Sequence, residues 1–206
     1  MRETLRMYEY SSGRNLEVTI SCCRQSAGKI PNINHMQNHD QWLQSIKPED
    51  GHFIAGFADG EGSLNVSLRK RDDHTIGWQV APSFNISQRD KQILAYHKKI
   101  FGCGTLRSRK DGVWYYEVRN AAMLHDRIIP FFNRFQFRSA YKKRNLYIFT
   151  KIIKIMHDEH MNQDTLNQIV ELREKLNVGH GRKRKYEAHH VIGKSSETIR
   201  RTVKQD

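Results

Sequence analysis

The residues most able to do chemistry in this 206-residue chain cluster in Phe53-Ile54-Ala55-Gly56-Phe57-Ala58-Asp59-Gly60-Glu61-Gly62-Ser63-Leu64. The segment reads as a short helix from about Asp50 to Asp59, closed by Gly60 in left-handed geometry, with Asp59 and Glu61 flanking that glycine. Carboxylates at a helix C-terminus face the negative end of the helix dipole and are repelled by it. A hard divalent cation removes the conflict, because Mg²⁺ takes carboxylate and carbonyl oxygens and keeps positions for water and phosphate. The competing reading is an ordinary helix-ending turn with exposed acids. Ala55, Gly56 and Ala58 add a face of small residues that another backbone could approach closely.

Other reactive groupings are weaker. Cys22 and Cys23 precede His35 and His39, which have the spacing of a helical zinc pair, but adjacent cysteines chelate poorly compared with a spaced pair. Glu187-Ala188-His189-His190 offers paired histidines, yet the sixteen residues after His190 contain neither Asn nor His. His157-Asp158-Glu159-His160 lacks the i, i+4 spacing of a protease zinc pair and reads as a solvated helix end. Three cysteines in all make no disulfide framework and suit a reducing compartment.

These residues must be positioned by elements that the hydrophobic pattern makes visible. After Pro48 comes the compact Phe53–Leu64 segment, and strict alternation follows it. Leu64, Val66 and Leu68 point one way, while Ser63, Asn65, Ser67, Arg69 and Arg71 point the other, as in a half-exposed strand. Trp78, Val80, Phe84 and Ile86 alternate with Gln79, Ser83 and Asn85 in a second strand, where Pro82 suggests an edge or bulge. A helix over roughly 89–101 ends at Gly102. Strands over 105–109 and 113–119 are joined by Asp111-Gly112, a strong hairpin signal. Helices follow at about 121–135, 141–157 and 163–176, giving the order α-β-β-α-β-β-α-α-α. The sequence divides into an extension over 1–48, a main domain over 49–178 and a basic tail over 179–206. That tail holds eight Lys and Arg against three Asp and Glu from His180 onward.

Composition limits the partners. With 35 Lys and Arg against 22 Asp and Glu, the formal net charge is +13, which favours a polyanion over a neutral metabolite. Hydrophobic residues make up 37%, enough for one core and too few for two large enzymatic domains. No apolar run approaches a membrane span, and the first residues lack a signal or transit pattern, so a soluble chain is expected. The polar strand faces suit double-stranded DNA. Ser63, Asn65, Ser67, Arg69, Arg71, Gln79, Ser83, Asn85, Arg107, Arg109, Tyr115, Glu117 and Arg119 form a donor-rich, mostly cationic surface. A β-ribbon fits the major groove, where Arg reads guanine and Asn or Gln reads adenine.

The segment Ile54-Ala55-Gly56-Phe57-Ala58-Asp59-Gly60-Glu61-Gly62 resembles the motif of the LAGLIDADG homing endonucleases in its single-copy form. The resemblance extends to about Asn145 through the order of elements, Asn85-Ile86-Ser87-Gln88 and Gly104-Thr105-Leu106-Arg107-Ser108-Arg109, and returns weakly at 195–200. It implies an α+β fold, the αββαββα arrangement with a saddle-shaped antiparallel DNA-binding sheet and extra C-terminal helices. It also implies a homodimer in which motif helices meet through Ile54, Ala55, Gly56, Ala58 and Asp59. Each Glu61, with the Gly60 carbonyl, would hold Mg²⁺ against a scissile phosphate, giving a staggered double-strand break with 3′ overhangs. Gln88 matches the position that orders water near the metal. Lys142 falls in the slot of the cation facing the phosphate, with Lys143 and Arg138 as alternatives. A family arginine expected four residues beyond Gln88 is Gln92 here, which leaves that charge to Arg89, Lys91 or Lys142. The most similar group is encoded in introns of organellar or bacterial ribosomal RNA genes, so a chloroplast, mitochondrion or bacterial cytoplasm is expected. Intron RNA, in a splicing role, is a further partner the scaffold admits, and a DNA-binding protein with a decayed nuclease is the remaining alternative.

Overall fold

A computed structural model describes residues 41–73, 75–178 and 185–192. The zinc reading at Cys22, Cys23, His35 and His39, most of the expected extension and most of the basic tail lie outside them. The elements are α1 (Pro48–Glu61), β1 (Gly62–Lys70), β2 (Trp78–Gln88), α2 (Lys91–Phe101), β3 (Thr105–Ser108) and β4 (Trp114–Val118). Then come α3 (Ala121–Met123), a π-helical turn (Leu124–Ile128), α4 (Ile129–Arg134), α5 (Ala140–Asp158), α6 (Gln163–Glu174) and α7 (Ala188–Ile192). The fold is α+β. Among the described residues no helix is long and apolar enough to cross a membrane.

The strands form one antiparallel sheet in the order β1-β2-β4-β3. Its register pairs like with like, aligning Leu64, Phe84 and Val118 across the sheet, and Ile86, Tyr116 and Leu106 in a second row. That face is buried under the helices, where Phe84, Phe101, Phe131, Phe132 and Phe149 are wholly enclosed. Phe84 touches Phe101, Tyr116 and Phe132 edge-on, so truncating it would cost about 3–5 kcal/mol through lost burial and the cavity left behind.

Several local expectations change. α1 runs through Gly60 to Glu61, and Gly60 is not left-handed; the chain leaves the helix at Gly62, which is extended with φ −76°. Gly62 is glycine for space, since a Cβ there would lie 2.5 Å from the Ala58 carbonyl oxygen. Pro82 sits inside a long strand without disturbing it, because β4 pairs with β2 only over Phe84–Gln88 and the ladder at Pro82 faces β1 alone. The expected helix over 121–135 is interrupted by the π-turn. Pro130 follows it, and proline both lacks an N–H and crowds the carbonyl four residues back.

The expected boundary at residue 48 also moves. Residues 41–45 are helical, Trp42 Nε1 donates to the Ile100 carbonyl at 2.9 Å, and Ile46 is buried. At the other end, Val191 of α7 is buried and Tyr186 packs edge-on against Trp78. Part of the expected tail therefore belongs to the body.

Candidate functional site

Pro48 opens α1, and Glu49 and Asp50 in its first turn complement the helix dipole. At the other end Asp59 and Glu61 occupy the unfavourable terminus, and the structure gives them different tasks. Asp59 is spent within the chain. Its Oδ2 accepts the N–H groups of Arg138 and Ser139 at 2.8 and 2.9 Å, and its Oδ1 accepts the Ser139 hydroxyl at 2.5 Å. Burial raises its pKa, but the Ser139 and Arg138 hydrogen bonds and the Lys142 charge outweigh that and hold it below the usual carboxylate range. Glu61 is exposed, and its carboxylate has no hydrogen bond or ion pair with another described residue.

Ser139 caps α5 by accepting from the Lys142 N–H at 3.3 Å, which fixes Lys142 on the first turn. Its ammonium crosses to β1 and donates to the Gly62 carbonyl, next to Glu61. Burial pushes the Lys142 pKa down, while Asp59 and Glu61 act to raise it, so both carboxylates share its field. Of the alternatives, Arg138 enters through its backbone N–H, and Lys143 lines a small groove with Phe132, Phe137 and Tyr147. Lys142 is the cation beside Glu61.

Gln88 ends β2 two residues beyond Ile86, whose partner is Gly62, so it shares the sheet end with Glu61. Its Oε1 accepts the Arg89 N–H at 2.8 Å. Gln92 lies on the first turn of α2, where its N–H meets the Asp90 cap, and Lys91 is held 4.7 Å above the Trp114 ring. Among the described residues no cluster of three or more His, Cys, Asp or Glu forms. A single chain thus offers an all-oxygen, anionic but incomplete donor set, Glu61 with the helix-end carbonyl of Gly60. That set fits a hard cation completing its shell from water, phosphate or a second copy.

The five residues expected at a helix-to-helix interface divide. Ile54, Ala55 and Ala58 are buried in the chain's own core and Asp59 is bonded to Ser139, the cap of α5, so these four face inward or are already engaged. Only Gly56 lies on the open side. That side carries Phe53, 51% exposed, with Gly56 and Gly60 one and two turns further on, and Phe57 half-buried beside them. A Cβ added at Gly56 or Gly60 meets nothing within 4 Å, so nothing within the chain requires glycine at either position. Gly51 is the opposite case, since a Cβ there would strike the Phe135 ring at 2.4 Å.

The polar sheet face gathers the expected DNA-facing residues in rows. Ser63, Asn85 and Glu117 align across three strands, Asn65 faces Ser83, Arg69 faces Gln79, and Tyr115 faces Arg107. All of these except Arg107, together with Ser67 and Arg119, line a concave groove of about 1170 Å³. Two of the expected arginines are already engaged: Arg119 pairs with the nearly buried Glu117 at 2.7 Å, and Arg109, just past β3, lies 4.8 Å over the Tyr115 ring. Arg71 falls beyond the end of β1 and is paired with Asp73 at 2.6 Å. Ser87 and Thr105 share the same rows, and the alternation carries that signal for Ser87.

The groove also takes Lys185 of the expected basic tail and residues that nothing in the sequence marked. Arg173, Asn177, Lys185 and Tyr186 form one wall. β1 is an edge strand, and three alternate carbonyls along it each accept from a side chain: Gly62 from Lys142, Leu64 from Asn177 Nδ2 at 2.8 Å, and Val66 from Arg173 Nε at 2.9 Å. Side chains thereby blunt an edge open to stray pairing. Elsewhere, His157 pairs with Asp158 at 2.8 Å and stacks on His125, an exposed helix end as expected, and His189 and His190 are exposed on α7.

Residues 54–153 match the family described as LAGLIDADG endonuclease. The chain is 31% identical to DNA endonuclease I-CvuI of Chlorella vulgaris over 48% of its own length and 63% of the relative's. Among solved structures it is similar to the homing endonuclease I-TnaI, with 30% identity, TM-score 0.58, and coverage of 66% of this chain and 90% of that one. It is also similar to the archaeal intron-encoded homing endonuclease I-Vdi141I complexed with DNA, at 28% identity, TM-score 0.64, and coverage of 70% and 92%. The chain spans between about a quarter and two thirds of the length of the curated relatives it matches.

Proposed function

This chain belongs to the LAGLIDADG homing endonuclease family, and from that premise we propose that it is a site-specific DNA endonuclease acting as a homodimer. The observation that carries the reading is the contrast on α1: Asp59 is consumed in hydrogen bonds to Arg138 and Ser139, while Glu61 stays exposed beside the Lys142 ammonium. The whole chain would grip double-stranded DNA in the groove over the polar sheet face. Phe53, Gly56 and Gly60 would meet their counterparts on a second copy, a face the missing Cβ atoms leave approachable.

Glu61 and the Gly60 carbonyl would hold Mg²⁺, which when bound supplies polarisation of the phosphoryl oxygen and stabilises the leaving 3′ oxygen. Lys142, held at Gly62, presents a fixed positive charge toward a phosphate brought to Glu61. Gln88 orients water with its amide. Two such half-sites, one per strand, give a staggered break with 3′ overhangs in a long, partly palindromic site. The net charge of +13 supports a polyanionic substrate. An intron-borne gene with an intronless ribosomal RNA gene as target, expressed in an organelle or bacterial cytoplasm, follows from the same reading.

The test is incubation of the purified chain and Mg²⁺ with plasmids bearing intronless ribosomal RNA genes, with EDTA controls. A discrete linear product abolished by EDTA supports the proposal. Tight binding without any cleavage, on DNA or on intron RNA, overturns it in favour of a binding or splicing role.

A further inference from the structure

Asn177, just past α6, is the only non-glycine residue with a positive φ among the described residues, at 55°. Asn enters that left-handed region more readily than other side-chain-bearing residues. Its side chain joins two elements of the candidate site. The Asn177 N–H donates to Asn145 Oδ1 at 3.2 Å, and Asn145 Nδ2 donates back to Asn177 Oδ1 at 3.0 Å. Asn177 Nδ2 then donates to the Leu64 carbonyl at 2.8 Å and to Asn65 Oδ1 at 3.3 Å. Finally, Asn65 Nδ2 donates to Ser63 Oγ at 2.9 Å.

The direction of this chain is fixed at both ends by main-chain groups. An amide side chain can be turned either way unless its partners decide. Here the Asn177 N–H can only donate, so Asn145 must present its oxygen to it and its nitrogen to Asn177 Oδ1. The Leu64 carbonyl can only accept, so Asn177 must present its nitrogen to β1. Both anchors give the same orientation. Asn65 must then turn its oxygen toward Asn177 and its nitrogen toward Ser63. Asn145 is almost wholly buried, so the relay starts from a group water cannot reorient.

We propose that Asn177 is a specificity-positioning residue: it sets the donor and acceptor polarity of Asn65 and Ser63 in the groove. Asn65 spends one lone pair of its oxygen and one N–H within the relay, which holds its amide in one orientation and leaves its second N–H as a donor. Ser63 accepts from Asn65 with one lone pair, so its hydroxyl proton is turned away from the amide and is free to donate. The base pair facing these two residues is therefore selected for a base that presents acceptors to the major groove, guanine or thymine, over cytosine. This inference rests on the groove being the DNA surface.

The test selects bound duplexes from a randomised pool with Ca²⁺ in place of Mg²⁺, using the full chain. Asn177→Gly keeps the left-handed backbone and its N–H but removes the amide. Asn177→Asp keeps the acceptor for Asn145 and replaces the donor with an acceptor. Asn65 must then turn its nitrogen to Asp, and the Ser63 hydroxyl must donate to Asn65, leaving Ser63 an acceptor to the groove. Wild type should enrich guanine or thymine at one or two adjacent base pairs in each half-site. Asn177→Gly should lose at least tenfold discrimination there and nowhere else, Ser63→Ala should lose it at the same place, and Asn177→Asp should move the preference toward cytosine or adenine. Variants that retain the wild-type preference at every position, or lose it evenly at all of them, overturn the proposal. A wild type that enriches no sequence overturns the DNA reading itself, and this inference with it.

Discussion

Asp59 and Ser139 hold the candidate site together. The carboxylate takes the Ser139 N–H at 2.9 Å and its hydroxyl at 2.5 Å, joining the last turn of α1 to the first turn of α5. One helix carries Glu61 and the other carries Lys142, so this pair sets the spacing between carboxylate and cation.

Asp59→Ala should lower stability by about 1.5–3 kcal/mol, as loss of hydrogen bonds to a charged group does, with urea unfolding as the measurement. The pH dependence has a definite sign. Because the folded carboxyl titrates below its ordinary 3.8, its contribution is present above that value and disappears as pH falls through the lower folded one. The wild type and Asp59→Ala should therefore converge in stability under acid and differ at neutral pH. A difference that grows on acidification would show that Asp59 is not held as its charged form.

Glu61→Gln should reduce cleavage by about two orders of magnitude or more while DNA binding in Ca²⁺ survives, since the polar sheet face is untouched. Gel shift and nicking on one duplex separate the two effects. Normal cutting of both strands by the variant would remove Glu61 from the chemistry.

Lys142 should titrate below its ordinary 10.5, observable by NMR of the labelled side-chain ammonium. Burial drives the shift and the carboxylates of Asp59 and Glu61 oppose it, so Glu61→Gln should lower the value further. A rise in that variant would contradict the geometry. Lys142→Met should slow cleavage by about 10²–10³-fold without preventing metal binding, if its charge meets the phosphate.

Gly56→Leu should have opposite effects on fold and assembly. An added side chain meets open space in the protomer, and leucine is the better helix former by up to about 1 kcal/mol, so the monomer should be at least as stable. Sedimentation velocity should nonetheless show loss of the dimer, and cleavage should fall with it. A dimer of undiminished affinity would place the two-fold contact elsewhere.

Much of this was legible in the chain because it is local. The alternation from Ser63 to Arg69 and from Gln79 to Asn85 gives a two-faced strand wherever it occurs, since successive side chains of an extended backbone point to opposite sides. Asp111-Gly112 announces its hairpin for a similar reason, with Gly112 adopting the positive φ of 77° that such turns require. The motif placed Glu61 at the end of α1 and singled out Lys142 from its neighbours only by count.

What needed the tertiary structure is everything that depends on which side of an element faces the core. The small residues of α1 read as one face, yet Ile54, Ala55 and Ala58 turn inward while Gly56 and Gly60 turn outward. A 3.6-residue period fixes the angle between side chains but not which stripe the rest of the chain covers. The same holds for contacts across great sequence distance. Asp59 reaches Ser139 across 80 positions, Arg173 reaches Val66 across 107, and Asn177 reaches Leu64 across 113. Such pairs have no local pattern, because a hydrogen bond to a main-chain group constrains only one of the two side chains. The sequence determined the strands, their polar face and the carboxylate at the end of the helix; the packing of α5 and α6 along the edge of β1 decided which groups that carboxylate and that face would work beside.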